Sequence, residues 1–214
     1  MRLLGLFVFS AFCGFPQPLT FGIKAGAPLD GLLDATQFPP GNQGATSTTN
    51  PYIIGPTVEL RLPRNLSIEV DALFRHYRYQ WYVYLIGSGA HTIAIGNAWE
   101  FPILVKYKLP GRFLKPYVDG GAAFDRVEGL SAIINSYTAT ESGSTTMTTQ
   151  TSSPSELEHR TSAGVVIGGG IDIHMLFLHV SPEIRYTCWS LQHFGADYVN
   201  SSQNQVEFLL GVTF

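Results

Sequence analysis

Gln205-Val206-Glu207-Phe208-Leu209-Leu210-Gly211-Val212-Thr213-Phe214 is the stretch on which the fold turns. Val206, Phe208, Leu210, Val212 and Phe214 occupy every second position, and Gln205, Glu207, Leu209, Gly211 and Thr213 fall between them. Side chains of an extended chain alternate between two faces, so this pattern makes a strand with one continuous apolar face. The chain closes on that strand, with an aromatic as its last residue.

Seven earlier segments repeat the alternation, each near the roughly 9 to 11 residues that a tilted strand needs to cross a bilayer. In chain order their apolar faces are Phe21, Ile23 and Ala25; Ile54, Val58, Leu60 and Leu62; Leu66, Ile68, Val70, Ala72 and Phe74; Phe101, Ile103, Val105, Tyr107 and Leu109. Then come Val118, Ala122 and Phe124 around Gly120; Val165, Ile167, Ile171 and Ile173; and Leu178, Val180, Ile184, Tyr186 and Cys188. Eight strands are therefore expected, joined by connections of alternating length. Pro63-Arg64-Asn65, Pro110 to Leu114 and the region of His174-Met175 are tight reversals, whereas the links after the first, third, fifth and seventh strands are long. Three short turns lie at one end and four long loops at the other, with both termini on the short-turn side. This asymmetry belongs to antiparallel barrels that cross a membrane.

Composition supports the same architecture. Hydrophobic residues make up 45% of the chain and aromatics 13%, but charged residues only 14%, against roughly a quarter in soluble domains. So little charge leaves a soluble surface thinly covered. The net charge of −3 and pI near 6.0 provide no basic field for nucleic acid. Met1-Arg2 followed by the apolar run Leu3 to Cys13 reads as a secretory signal, too short to span a bilayer as a helix. The expected division is a signal peptide over residues 1–16 and one barrel domain over 17–214, with the mature chain starting between Gly14 and Pro18. Phe12 is too large for lipoprotein processing at Cys13, which leaves Cys188 as the one mature thiol and no disulfide framework. No stretch after the signal holds 18 consecutive apolar residues, so a helical membrane protein is excluded.

The terminal stretch Gln205 to Phe214, Pro182-Glu183-Ile184-Arg185-Tyr186 and the opening Thr20-Phe21-Gly22-Ile23-Lys24-Ala25-Gly26 resemble the small, opacity-protein or porin-like β-barrels of bacterial outer membranes. The resemblance covers the chain from about Leu19 to Phe214. It implies an all-β, eight-stranded antiparallel up-and-down transmembrane barrel, located in the outer membrane and acting as a monomer. Its implied partners are outer-membrane lipid and lipopolysaccharide, the barrel-assembly machinery through the C-terminal strand, and an unidentified ligand of the extracellular loops. Members of this group serve adhesion, envelope integrity or passage of small solutes. The expected function is a non-enzymatic integral barrel, structural or surface-interacting. The alternatives are a narrow channel for small or hydrophobic solutes and a membrane-embedded lipid-modifying enzyme.

Opposite the apolar stripes lie Lys24, Glu59, Arg61, Glu69, Asp71, Arg75, Glu100, Lys106, Lys108, Asp119, Asp125, Asp172, Glu183, Arg185 and Glu207. An eight-stranded barrel is just wide enough for side chains to fill, so these charges are expected to meet inside as ion pairs. A soluble ligand-binding barrel would show the same alternation with the apolar face inward; the signal, the loop asymmetry and the scarcity of charge argue against it. Ser136 to Ser155, rich in Thr and Ser, reads as a polar, mobile loop. Tyr77, Tyr79, Trp81, Tyr82 and Tyr84, with Trp99, Tyr186 and Trp189, suit a headgroup boundary at the long-loop end, and Phe21, Phe113 and Phe214 the opposite rim.

Catalytic candidates are few. His179-x-Ser181-x-Glu183 shares one strand face and its His-x-Ser element is similar to that of outer-membrane lipid A deacylases, but same-face neighbours stand roughly 7 Å apart along a strand, and no match to the rest of that family's pattern lies nearby. A lumenal packing role is expected instead. Gly168-Gly169-Gly170 lacks the Lys-Ser/Thr and helix of a phosphate loop and is expected to relieve crowding or allow a bend. His76, His91, His159, His174 and His193 show no metal-ligand spacing. No catalytic, cofactor or metal site is assigned.

Overall fold

The computed structural model describes residues 18–30, 33–35, 43–47, 52–140, 142–152, 157–175, 178–196 and 199–214. The expected signal peptide over residues 1–16 and much of the link between residues 28 and 50 lie outside them. The chain forms β1 (Leu19–Pro28), β2 (Ile53–Arg61), β3 (Leu66–Asp71 continued by Leu73–Leu85), β4 (Ser88–Lys108), β5 (Leu114–Thr140), β6 (Thr161–Met175), β7 (Leu178–Trp189) and β8 (Asn204–Thr213). Each strand pairs antiparallel with its sequence neighbour, and β8 returns to β1 with Gly22 opposite Thr213 and Pro28 opposite Glu207. The ring is closed, so no barrel strand is left with an open edge.

The alternation read from sequence sorts inside from outside. Leu210, Ile103, Val165 and Ile184 are exposed on the exterior, whereas Lys24, Glu69, Asp71, Lys106, Glu183, Arg185 and Glu207 are buried within. Leu210 is 41% exposed and its neighbour Leu209 0%. A soluble barrel would bury the first set and expose the second. The outward face of β5 fixes the height of the apolar band: it runs Leu114, Pro116, Val118, Gly120, Ala122 and Phe124, then turns polar at Arg126, which is 65% exposed in its side chain and pairs with Glu128 at 3.0 Å. That apolar run matches the span of one tilted strand.

Among the described residues the turns after β2 and β4, at one end, are tight. At Pro63-Arg64-Asn65 both Arg64 (φ 64°) and Asn65 (φ 62°) adopt left-handed backbone, which Asn tolerates better than Arg. At the opposite end two of the connections read as loops are strand instead. β3 and β4 pair without interruption up to Leu85 opposite Ser88, leaving only Ile86-Gly87 as the turn. Much of the Ser136 to Ser155 tract likewise belongs to β5 and to the strand Gly143–Thr151, which pairs with it from Ala132 opposite Thr151 to Thr140 opposite Gly143. Thr is a strand former, and backbone pairing with β5 supplies the order that a core does not. With Gln43–Ser47 on β3, five strands extend the sheet beyond the apolar band.

A β-bulge marks the passage from barrel wall to extension. Below it, β5 points Asp125 and Val127 inward; above it, Leu130 and Ala132 are the buried residues, so the parity has reversed. The extra residue sits at Gly129, whose φ of 61° fits glycine and strains a side chain. This is why period-two reading of the fifth strand fades after Phe124.

Candidate functional site

Rings line the exterior at the bulge level: Phe74 meets Trp99 edge-on at 5.3 Å, Trp99 stacks on Phe101 at 6.3 Å, and Tyr52 lies 6.4 Å from Phe74. Tyr186 also faces out, donating to Asn204 Oδ1 at 2.7 Å. Phe21, Phe113 and Phe214 are exposed at the other rim. Trp189 departs from the expectation: it is 4% exposed and packs with Leu104, Ala123 and Val166 inside. Its odd number on β7 shares the lumenal parity of Glu183 and Arg185, so a boundary role is corrected to core packing. The side chains of Tyr77, Tyr79, Trp81 and Tyr84 lie outside the described set.

Inside, three cations and four carboxylates form one cluster at mid-height. Lys24 Nζ is 2.5 Å from Glu69, 2.9 Å from Glu183 and 3.3 Å from Asp71. Lys106 Nζ is 2.8 Å from Glu69, 3.3 Å from Glu183 and 3.8 Å from Asp119. The Arg185 guanidinium lies 2.7 Å from Glu183 and 2.9 Å from Asp71. Tyr117 donates to Glu183 at 3.0 Å while Lys106 sits 4.3 Å above its ring. The lumenal glycines make room for this cluster. Gly170 lies in register between Tyr117 and Glu183, and a Cβ there would strike the Pro182 carbonyl oxygen and come within 2.6 Å of the Tyr117 hydroxyl. The triplet thus relieves crowding, and its register runs on unshifted from Gly170 opposite Glu183 to Ile173 opposite Val180.

An apolar cluster of Ile53, Leu73 and Leu209 follows along the wall. Beyond it Arg75 bridges Glu100 and Glu207 and donates to Gln205 at 2.9 Å. The last connection then covers the lumen. Phe194, 2% exposed, forms a bridge with Leu157, and Ser201 Oγ accepts from the backbone of His193 at 2.9 Å and of Phe194 at 3.2 Å. His193 Nε2 stands 3.0 Å from Asp125 and Nδ1 donates to the His159 carbonyl at 2.8 Å. Both partners are acceptors, which suits the doubly protonated ring. Burial pushes the imidazolium down, but Asp125, by hydrogen bond and charge, together with the His159 carbonyl holds it above the ordinary histidine value.

The short-turn mouth is different. Lys108 pairs with Glu59 at 2.6 Å and Asp172 at 3.0 Å, and His179 Nδ1 donates to Asp172 at 2.9 Å, leaving Nε2 to accept from Arg61 at 3.3 Å. Arg61 is exposed there, unlike the other charges assigned to the lumen. His174 stacks on His179 with ring centres 4.5 Å apart. Glu183 is committed to the central cluster and His179 to Asp172 and Arg61, so His179, Ser181 and Glu183 are not brought together as a catalytic set. Among the described residues no group of three His, Cys, Asp or Glu side chains is placed to hold a metal.

Paired charge within and hydrocarbon side chains without leave lipid as the external medium. The fold is that of a small outer-membrane β-barrel. No family model matches the chain, and no curated protein matches it. Among solved structures this barrel is similar to the outer membrane protein OprG from Pseudomonas aeruginosa, at 12% identity over 91% of this chain and 92% of that one, with a TM-score of 0.49. It is also similar to the N-terminal β-barrel domain of Pseudomonas aeruginosa OprF (11% identity, 92% and 98% covered, TM-score 0.37) and to Neisserial surface protein A (13% identity, 91% and 94% covered, TM-score 0.39).

Proposed function

We propose that this barrel is a closed, non-enzymatic resident of the bacterial outer membrane, monomeric in lipid and lipopolysaccharide, with a structural or surface-interaction role and the extended sheet facing outward. The filled lumen carries this reading. A conducting path would have to pass the Lys24, Lys106 and Arg185 cluster, then Arg75, then Phe194, each buried and engaged. Removing one member of a buried ion-pair cluster leaves an uncompensated charge, which favours a permanent plug. The five-stranded extension supplies the surface for contact with other molecules. Assembly through the terminal strand β8 fits its place as the strand that closes the ring on β1.

In planar bilayers the folded protein is expected to give no unitary conductance steps, and with lipopolysaccharide no release of acyl chains. Steps of constant size would replace this reading with the narrow channel, and acyl release with the enzyme. Protease added to intact cells is expected to cut near residues 140–143 and spare Pro63-Arg64-Asn65; the reverse pattern would invert the orientation.

A further inference from the structure

Within the lumen proper, cations are matched by carboxylates at close range. At the short-turn mouth they are not. A cup of about 470 Å³ opens there, walled by successive strands and their turns. Arg61, Arg64, Lys108 and Lys115 line it against only Glu59 and Asp172. Both carboxylates are taken by Lys108, and Asp172 also by His179. Arg61, Arg64 and Lys115 make no ion pair among the described residues, although Lys115 lies across the ladder from Asp172. Three cations without a carboxylate in contact therefore converge on one concave space whose lining carries a net charge of +2, four cations against two carboxylates.

We propose that this cup binds a small multivalent anion of phosphate chemistry through Arg61, Arg64 and Lys115. Guanidinium groups present forked donors that match phosphate oxygens, and a lysine adds a mobile point charge. A concave mouth lined by one sign of charge also concentrates counter-ions. Arg61 is held at the rim by its hydrogen bond to His179 Nε2, so part of the site is already ordered. The ligand stops there. Deeper in the lumen Glu69, Asp71, Asp119 and Glu183 outnumber Lys24, Lys106 and Arg185, which opposes passage of an anion. The cup is a dead-end receptor, and its phosphate comes either from a soluble molecule or from a lipid headgroup at the rim.

The test is calorimetric titration of pyrophosphate into the full-length barrel in phosphatidylcholine nanodiscs, with folding checked by heat-shifted gel mobility. Saturable binding is expected, weakened at least tenfold in Arg61→Gln/Lys115→Gln and little changed in Arg78→Gln/Arg126→Gln, which removes as many exposed cations at the other end. Absence of saturable binding by the folded protein, or equal losses in both double variants, would overturn the proposal. Nanodiscs containing phosphatidylglycerol identify the source: weaker pyrophosphate binding there means that the lipid headgroup competes for the cup, and unchanged binding assigns the site to a soluble anion.

Discussion

Mid-barrel and short-turn mouth lie on the same face of the same strands, yet they treat charge in opposite ways. Lys106 and Lys108 are successive lumenal residues of β4: the first is buried among Glu69, Asp119 and Glu183, and the second is partly open to solvent with Glu59 and Asp172. Where water is excluded, a charge persists only with partners in contact. Where the wall opens, Arg61, Arg64 and Lys115 stand without carboxylates because water solvates them. Solvent access along the barrel axis, more than residue type, decides which cations are structural.

The largest test of this contrast pairs Arg185→Met with Arg61→Met. The first leaves four buried carboxylates to Lys24 and Lys106 alone and is expected to cost about 3–5 kcal/mol; the second is expected to stay within about 0.5 kcal/mol. Guanidinium unfolding from lipid vesicles measures both, and equal losses would erase the distinction. The outer surface offers the next test. Leu210→Arg is expected to lose about 2–4 kcal/mol beyond Leu210→Ala if that face lies near the bilayer midplane; if the two variants unfold alike, the apolar band is not in lipid.

A finer test asks how tightly the central cluster is packed. Gly170→Ala drives a methyl into the Pro182 carbonyl as well as the end of the Tyr117 ring and is expected to cost about 1–3 kcal/mol in the same unfolding measurement. Because the backbone conflict remains, Gly170→Ala/Tyr117→Phe is expected to recover little of it, and full recovery would place the conflict at the hydroxyl alone. The smallest effect concerns the far mouth. Because His193 is held above its ordinary value of 6.5, its contribution is fully present below pH 6.5 and is lost as pH rises through the raised value. Unfolding midpoints should therefore fall gently across neutral pH, and His193→Gln should flatten that slope. A slope unchanged in His193→Gln would remove this histidine from the closure.

The eight barrel strands and the inward or outward sense of their side chains within the apolar band were legible because period two leaves one answer per residue there: Leu209 and Leu210 fall on opposite faces from parity alone. The pairings were not. Lys24 meets Glu183 across 159 residues of chain, and nothing local specifies which carboxylate a lumenal lysine reaches. Trp189 was misplaced through its residue type, although its parity already directed it inward. The extended hairpins were missed because Thr and Ser tracts read as loops until a paired neighbour supplies their backbone hydrogen bonds. The basic cup was hidden as well, since Arg61, Arg64, Lys108 and Lys115 come from three separate stretches that only the two turns bring to one rim.

The span of the central cluster has a consequence for the order of assembly. Lys24 belongs to the first strand, Glu69 and Lys106 to the third and fourth, and Glu183 to the seventh. A chain inserted as far as β4 would already hold Lys24 and Lys106 against Glu69 and Asp71, with Glu183 and Arg185 still to arrive on β7. The share of the cluster on the first four strands is thus balanced in charge on its own, and it is the contacts to β7, distant in sequence, that slow spontaneous closure. The seventh strand brings its own pair, Arg185 beside Glu183, so it can shut the ring without carrying an unmatched charge into hydrocarbon.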